Sequence, residues 1–392
     1  MTDGSAPLAG IVVVSVEQAI AAPFASRQLA DLGATVIKVE SPTGDLARHY
    51  DSVMGGQSAN FVWVNRGKQS ISLDLRAERD RATLHSLIAG ADVFIHNVAP
   101  ATARRLGLTA SELVERHPAL IACEISGYGT GGPREDDKAY DLAIQAEVGA
   151  FSVTGGEEMS KVGFSAADIA AAMYALASIL AALVRRGRTG EGAAICVSML
   201  DVMTEWMSAP LYGAVYGAGQ PTRTGRRHHS IAPYGTFAIA DGRSVLIAVQ
   251  TDAEWVRFAD QVLGDPALAG DPRFFTNPDR MTNVDELERI IRTAFLDVDA
   301  ALLLARLTES RIVCASVNNL VDVWSHEQLR VRDKFTVAST ESGEVEVLAA
   351  PFAISGWRTP SGAVPALDEH DVDAVQSIIE RGEDREEPHR VV

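Results

Sequence analysis

Cysteine is scarce in this chain: three in 392 residues, Cys123, Cys196 and Cys314. They are odd in number, widely spaced and set in apolar surroundings. Neither a disulfide framework nor a Cys-x-x-Cys metal pair can be assembled from them. Positive charge is short as well. Lys and Arg number 35 against 52 Asp and Glu, for a net charge of −17. Nucleic acid is a poor partner for such a chain, because phosphate binding needs concentrated Lys and Arg. The start, Met1-Thr2-Asp3-Gly4-Ser5-Ala6-Pro7, has no basic residue and no apolar signal-like run, so the cytoplasm is the expected compartment. Glycine is missing where a dinucleotide would need it. Glu17-Gln18-Ala19-Ile20-Ala21-Ala22-Pro23 follows the first strand in place of G-x-G-x-x-G, which speaks against a nicotinamide or flavin dehydrogenase. No Walker phosphate loop and no G-x-S-x-G nucleophile elbow occurs either.

What remains is a globular composition, 47% hydrophobic and 22% charged. The length exceeds what one hydrophobic core supports, so two domains are expected. Ile11–Val16 reads as a buried strand. Pro23 suits a first helical turn and Gly33 a helix stop, and Thr35–Glu40 is a second strand. That spacing makes a right-handed crossover with parallel strands. Ser70–Leu75, Asp92–Ile95 and Leu120–Glu124 add strands, with a helix over Arg79–Ala89. The polar, basic stretch Gln220–His229 reads as a linker. Beyond it, Tyr234–Ile239 and Ser244–Val249 flank a hairpin turn at Ala240-Asp241-Gly242-Arg243, and Asp252–Leu320 has mostly helical periodicity. A strand from Val345 could rejoin the first layer, and the charged tail from Glu380 is expected to be solvated and frayed.

Asp168 stands out. It is a lone carboxylate in Val162-Gly163-Phe164-Ser165-Ala166-Ala167-Asp168, directly ahead of Ile169–Val184, which is apolar apart from Ser178 and the Tyr174 hydroxyl. Such a helix is expected to be buried. Its roughly 16 residues are short for a membrane span, and no membrane partner is expected. The carboxylate at its mouth has a structural use, as an N-cap. It also has a functional one, as a reactive group tuned by the helix dipole.

Several ordered motifs carry a family likeness from Pro7 to near Ala374. They are Ala21-Ala22-Pro23 with Leu29-Ala30-Asp31-Leu32-Gly33-Ala34 and Val36-Ile37-Lys38-Val39-Glu40; Gly44-Asp45 with Arg48; Asn65-Arg66-Gly67-Lys68-Gln69-Ser70-Ile71; and Asn97 with Arg105-Leu106-Gly107-Leu108. Further on stand Ile125-Ser126-Gly127-Tyr128-Gly129, Tyr140-Asp141 leading to Gln145, Asp168, Arg188-Thr189-Gly190-Glu191-Gly192 and Ala350-Pro351-Phe352. With these the chain resembles the class III (formyl-CoA transferase-like) CoA-transferases.

The resemblance implies that Asp168 is the nucleophile. A carboxylate can form a mixed anhydride with an acyl group, take coenzyme A as an aspartyl thioester and pass it to an incoming acid. The candidates for holding CoA, by matched position, are Gln18, Ala21, Lys38, Leu73, Asn97, Arg105 and Lys138. Residues that follow parallel strands line a ligand crevice, and Lys and Arg suit phosphates. Ile20 departs from the Gln of formyl-CoA transferase, which puts a polar substrate contact there in doubt. Tyr140 occupies the slot that holds His in the related α-methylacyl-CoA racemases. A phenol is a poor base at neutral pH but a good donor to a carbonyl oxygen, so transfer is favoured over racemisation. A non-catalytic acyl-CoA-binding protein is the rival from another class. It would keep the cationic groove and would not need Asp168.

The stretch Arg226-Arg227-His228-His229 lacks a nearby acid and makes a weak metal pattern. It reads instead as a loop whose cations meet an acid substrate, with Arg227 or Arg48 suited to a second carboxylate. The resemblance thus implies an α/β fold. A Rossmann-like large domain with a parallel sheet (residues 1–205, with 326–392 returning to it) accompanies a smaller α+β domain (225–325), in an interlocked homodimer. Acyl-CoA and a carboxylic acid, a small dicarboxylate, are the expected substrates, with no permanently bound cofactor and no metal.

Overall fold

In the computed structural model, residues 6–217, 219–240 and 242–383 are described. The chain divides into two compact units. The first takes the residues up to Gly149, Val162–Ala209 and Glu327 onward; the second takes Ala150–Lys161 and Pro210–His326. The segment 150–161 therefore leaves the large unit, where a contiguous stretch to residue 205 was expected.

The first unit is built on six parallel strands: β1 (Val12–Val16), β2 (Thr35–Glu40), β3 (Lys68–Ser72), β4 (Val93–His96), β5 (Ile121–Ser126) and β6 (Ala193–Ser198). Their order is β3-β2-β1-β4-β5-β6. The order reverses between β1 and β4, and open α/β sheets place their ligand crevice at the carboxyl ends of strands flanking such a reversal. Side chains alternate across the sheet. Val13, Ile95 and Cys123 pack in one core with the helices Ala21–Asp31, Ala166–Thr189 and Met199–Trp206. Val12, Val14, Phe94 and Ala122 pack in a second core with the helices Glu78–Ala89, Pro100–Leu106, Ala110–Arg116 and Val372–Glu383. The near-continuous Val/Ile runs of β1, β2 and β4 reflect burial on both faces.

Three expectations change. The apolar helix runs over Ala166–Thr189, 24 residues, long and apolar enough to cross a membrane by length and composition. It is not buried all round: Met173, Tyr174 and Val184 are exposed along one side. Ala and Leu periodicity could not tell a core face from an uncovered apolar face. The strand from Val345 does not rejoin the large sheet. It is part of β11 (Gly343–Leu348), which pairs antiparallel with β10 (Phe335–Thr340) as a separate hairpin. The last helix is Val372–Glu383; the rest of the charged tail, and Asp241 in the hairpin turn, lie outside the described residues.

In the second unit β7 (Tyr234–Ala238), β8 (Ser244–Ala248) and β9 (Val313–Ser316) form an antiparallel sheet. It is covered by a core containing Phe237, Trp255, Phe258, Phe274 and Phe295. Buried Arg280 ties this core together, donating to the Ala232 carbonyl (2.7 Å) and to Asp252 (2.8 Å). The Gln220–His229 stretch is not a free linker: Arg223 donates to the carbonyls of Gly156 and Glu157.

Candidate active site

The long apolar helix begins at Ala166 with Ser165 as N-cap, and the Ser165 side chain makes no capping bond. Asp168 does not cap it either; it lies within the first turn. The capping is done from another helix. Asp141 starts the Asp141–Glu147 helix, and its Oδ1 accepts the backbone N–H of Ala167 (2.7 Å) and of Asp168 (3.4 Å). Its Oδ2 accepts from Gln145 Nε2 (2.7 Å), and the same buried amide group donates to the Phe164 carbonyl while its oxygen takes the Val162 N–H. Gln145 thus fastens the approach to the helix, and Asp141 satisfies its orphan donors.

Asp168 is left to other work. Among the described residues none donates a hydrogen bond to its carboxylate. Burial first, and then the Asp141 charge, push its pKa up to about 7. Both effects disfavour the anion. A carboxylate of this kind is ionised near neutral pH yet more basic than an ordinary Asp, hence a better nucleophile.

Tyr140 immediately precedes Asp141 and is 75% exposed. Its approach is set by a close contact. A Cβ on Gly127 would lie 2.1 Å from the Ala139 Cβ, so only glycine lets the strand exit pass this segment. Tyr50 completes the neighbourhood. Its phenol is raised by burial first, then by the charges of Asp45, Asp168 and Tyr140.

The CoA candidates separate into exposed and engaged groups. Gln18, Arg105 and Lys138 are exposed. Ala21 and Leu73 are buried at the start of a helix and beyond β3. Asn97 is spent in part on Gln18, accepting its N–H (2.9 Å) and donating to its carbonyl (2.8 Å) across the sheet reversal. Lys38 is fully buried. Its Nζ meets Asp45 at 2.7 Å and Glu17 at 3.5 Å. An ammonium enclosed by two carboxylates presents nothing to solvent. No hydrogen bond or ion pair joins Arg105 or Lys138 to Asp168 among the described residues.

Both cations considered for a second carboxylate are also occupied. Arg48 pairs with Glu40 (2.7 Å) and stacks on the Phe61 ring at 3.8 Å. Arg227 binds Asp285 (2.5 Å) and Glu288 (2.6 Å). In the second unit Arg226, Arg227, Arg292, Glu288 and Thr236 line a cavity of about 370 Å³. His228 stacks between His229 (4.5 Å) and Tyr234 (4.8 Å). Among the described residues no group of three or more His, Cys, Asp or Glu could hold a metal ion.

Sequence reasoning gave no role to Asp141 as a cap, nor to Asp45, Glu17 and Tyr50. The Gly44-Asp45 and Tyr140-Asp141 pairs were visible, yet which carboxylate faces a backbone N–H is a tertiary fact.

The chain is similar to known proteins in sequence and in fold. The model of CoA-transferase family III matches residues 8–371. A succinyl-CoA:mesaconate CoA-transferase of Haloarcula hispanica is 33% identical, over 91% of this chain and 93% of that protein. An acetyl-CoA:oxalate CoA-transferase of Acetobacter aceti is 34% identical, over 93% of each. The crystal structure of a CaiB/BaiF family protein from Brucella suis superposes with a TM-score of 0.85 at 32% identity, covering 95% of this chain and 99% of that one.

Proposed function

The chain belongs to CoA-transferase family III, and from that premise we propose that it moves CoA from an acyl-CoA to a small dicarboxylic acid through Asp168. The observation that carries the reading is the Asp168 carboxylate, raised to about 7 at the mouth of a helix whose cap is supplied by Asp141. Similar proteins named for succinate with mesaconate or glutarate, and for oxalate, support the dicarboxylate class.

The chemistry balances as an exchange. The Asp168 oxygen attacks the thioester carbonyl, forming a mixed anhydride and releasing CoA thiolate. The thiolate attacks the aspartyl carbonyl, freeing the donor acid and leaving an aspartyl–CoA thioester. An acceptor carboxylate repeats the sequence in reverse and departs as acyl-CoA. No water enters, so the thioester energy is kept. Tyr140 is suited to donate to the carbonyl oxygen as charge develops on it. Gln18, Arg105 and Lys138 are the exposed groups left to hold CoA.

A homodimer in the cytoplasm completes the reading. The Ser208–Tyr216 helix buries none of its residues and exposes Leu211, Tyr212, Val215 and Tyr216, an apolar face suited to a second copy. Three free thiols suit a reducing compartment. Incubating the enzyme with pairs of acyl-CoA and acid, and reading the products by mass spectrometry, tests the substrate class. Turnover confined to monocarboxylic acids would refute it.

A further inference from the structure

At the carboxyl end of β1 the chain makes a turn that its residues do not favour. Ala19 has φ +61°, a left-handed conformation that costs an L-residue with a Cβ. Its N–H donates to Asp45 Oδ1 at 3.0 Å. The other oxygen of Asp45 holds Lys38 Nζ at 2.7 Å, and both side chains are fully buried. Lys38 is in turn enclosed by Glu17, whose carboxylate lies at 3.5 Å and whose backbone carbonyl lies at 3.4 Å. Of the ammonium's three N–H donors, two go to Asp45 Oδ2 and the Glu17 carbonyl, and the Glu17 carboxylate pairs with its charge. Glu17 is fixed independently by Lys68 (2.6 Å) and Ser26 (2.7 Å). Asp45 is oriented by its own N–H on Glu40 Oε2 (2.9 Å). From the other side of the sheet reversal, Asn97 grips both backbone groups of Gln18. The outcome is a rigid turn that leaves the Gln18 side chain outward and Ile20 inward.

We infer that Asp45, held by Lys38, is a positioning residue that keeps the Gln18–Ala19 turn in its left-handed form, and that Lys38 and Asn97 serve this turn and not the phosphates of CoA. The inference deepens the proposed transferase reading and rests on it for the turn's use, since the turn presents Gln18 at the crevice where CoA is expected. The enclosure of Lys38 and the strain at Ala19 are independent observations, and they converge on one carboxylate.

Rescue distinguishes positioning from ligand binding. Glycine adopts positive φ without cost, so Ala19→Gly lets the turn form without its clamp. Asp45→Ala and Lys38→Met are each expected to lower kcat/KM about tenfold, on the order of the cost of the strained conformation. Ala19→Gly added to either should restore most of that loss, measured against the Ala19→Gly single variant. A lost phosphate ligand cannot be recovered by a glycine elsewhere. The salt dependence of CoA binding by Lys38→Met/Ala19→Gly should match that of Ala19→Gly alone, because no phosphate contact has gone. Amide hydrogen exchange at Ala19 is read in parallel and needs no activity. It should be slow in the wild type, fast in Asp45→Ala and in any poorly folding Lys38→Met protein that still retains its sheet. Absence of rescue, or a shallower salt dependence in the Lys38 variant, overturns the inference. So does an Ala19 amide that stays protected without Asp45. Loss of transfer on mutating the turn with undiminished transfer by Asp168→Ala would instead overturn the reading of transfer through Asp168 and leave the turn's role intact.

Discussion

Asp141 holds the backbone N–H of Asp168 at 3.4 Å while its negative charge, after burial, raises the Asp168 carboxyl to about 7. One carboxylate thus fixes the position of another and makes its ionisation harder. Positioning and tuning come from the same contact.

A pH profile follows. Attack on a thioester needs ionised Asp168, so kcat/KM should rise with pH and level off above about 7. Asp141→Asn removes the nearby charge but not the burial, so the midpoint should move down without reaching the ordinary carboxylate range. A midpoint unchanged in that variant would mean that Asp141 acts only as a cap.

Stability has the opposite dependence. The folded-state pKa of Asp168 lies above its ordinary value of 3.8, so the fold prefers the protonated form. That contribution is complete below the unfolded pKa and is lost as pH climbs to about 7. Asp168→Asn carries no charge to strand. Its melting temperature should exceed that of the wild type by about 2 °C or more at pH 8, with the gap closing towards pH 5. A uniform difference across that range would contradict the assigned shift.

Proton exchange at the α-carbon is not expected. Tyr140 precedes Asp141, and a phenol is a weak base near neutrality. A 2-methylacyl-CoA incubated with the enzyme in deuterated water should gain no α-deuterium. Rapid uptake would favour a racemase.

Arg227 should act on stability and not on acceptor choice. Its guanidinium is committed to Asp285 and to buried Glu288. Arg227→Ala should cost about 1–3 kcal/mol by leaving Glu288 less well paired, and should alter transfer to mono- and dicarboxylic acceptors by the same factor. A loss confined to dicarboxylates would restore it as a substrate contact.

Much of this was legible in the chain. The β1–helix–β2 crossover was marked by Pro23 and Gly33, and Thr35–Glu40 forms β2 over those residues. Apolar runs gave the parallel strands because both faces are buried. Strand β6, short and partly uncovered at Ala194 and Cys196, was not found. The motif set pointed to Asp168, but not to the role of its neighbours. Lys38 reads from sequence like any cation at a strand end; only the fold shows Asp45 and Glu17 closing over it. The pairing of Arg48 and Arg227 was hidden for the same reason, since ion-pair partners 8 or 58 residues away leave no local signal.

The central claim is that Asp168 carries CoA covalently, and peptide mass spectrometry tests it most directly. Enzyme mixed with succinyl-CoA and quenched in acid should yield the peptide containing residue 168 with CoA attached, the adduct disappearing on addition of an acceptor acid. Asp168→Ala should show neither adduct nor transfer. Transfer at the wild-type rate by Asp168→Ala, with no peptide modified, would contradict the account.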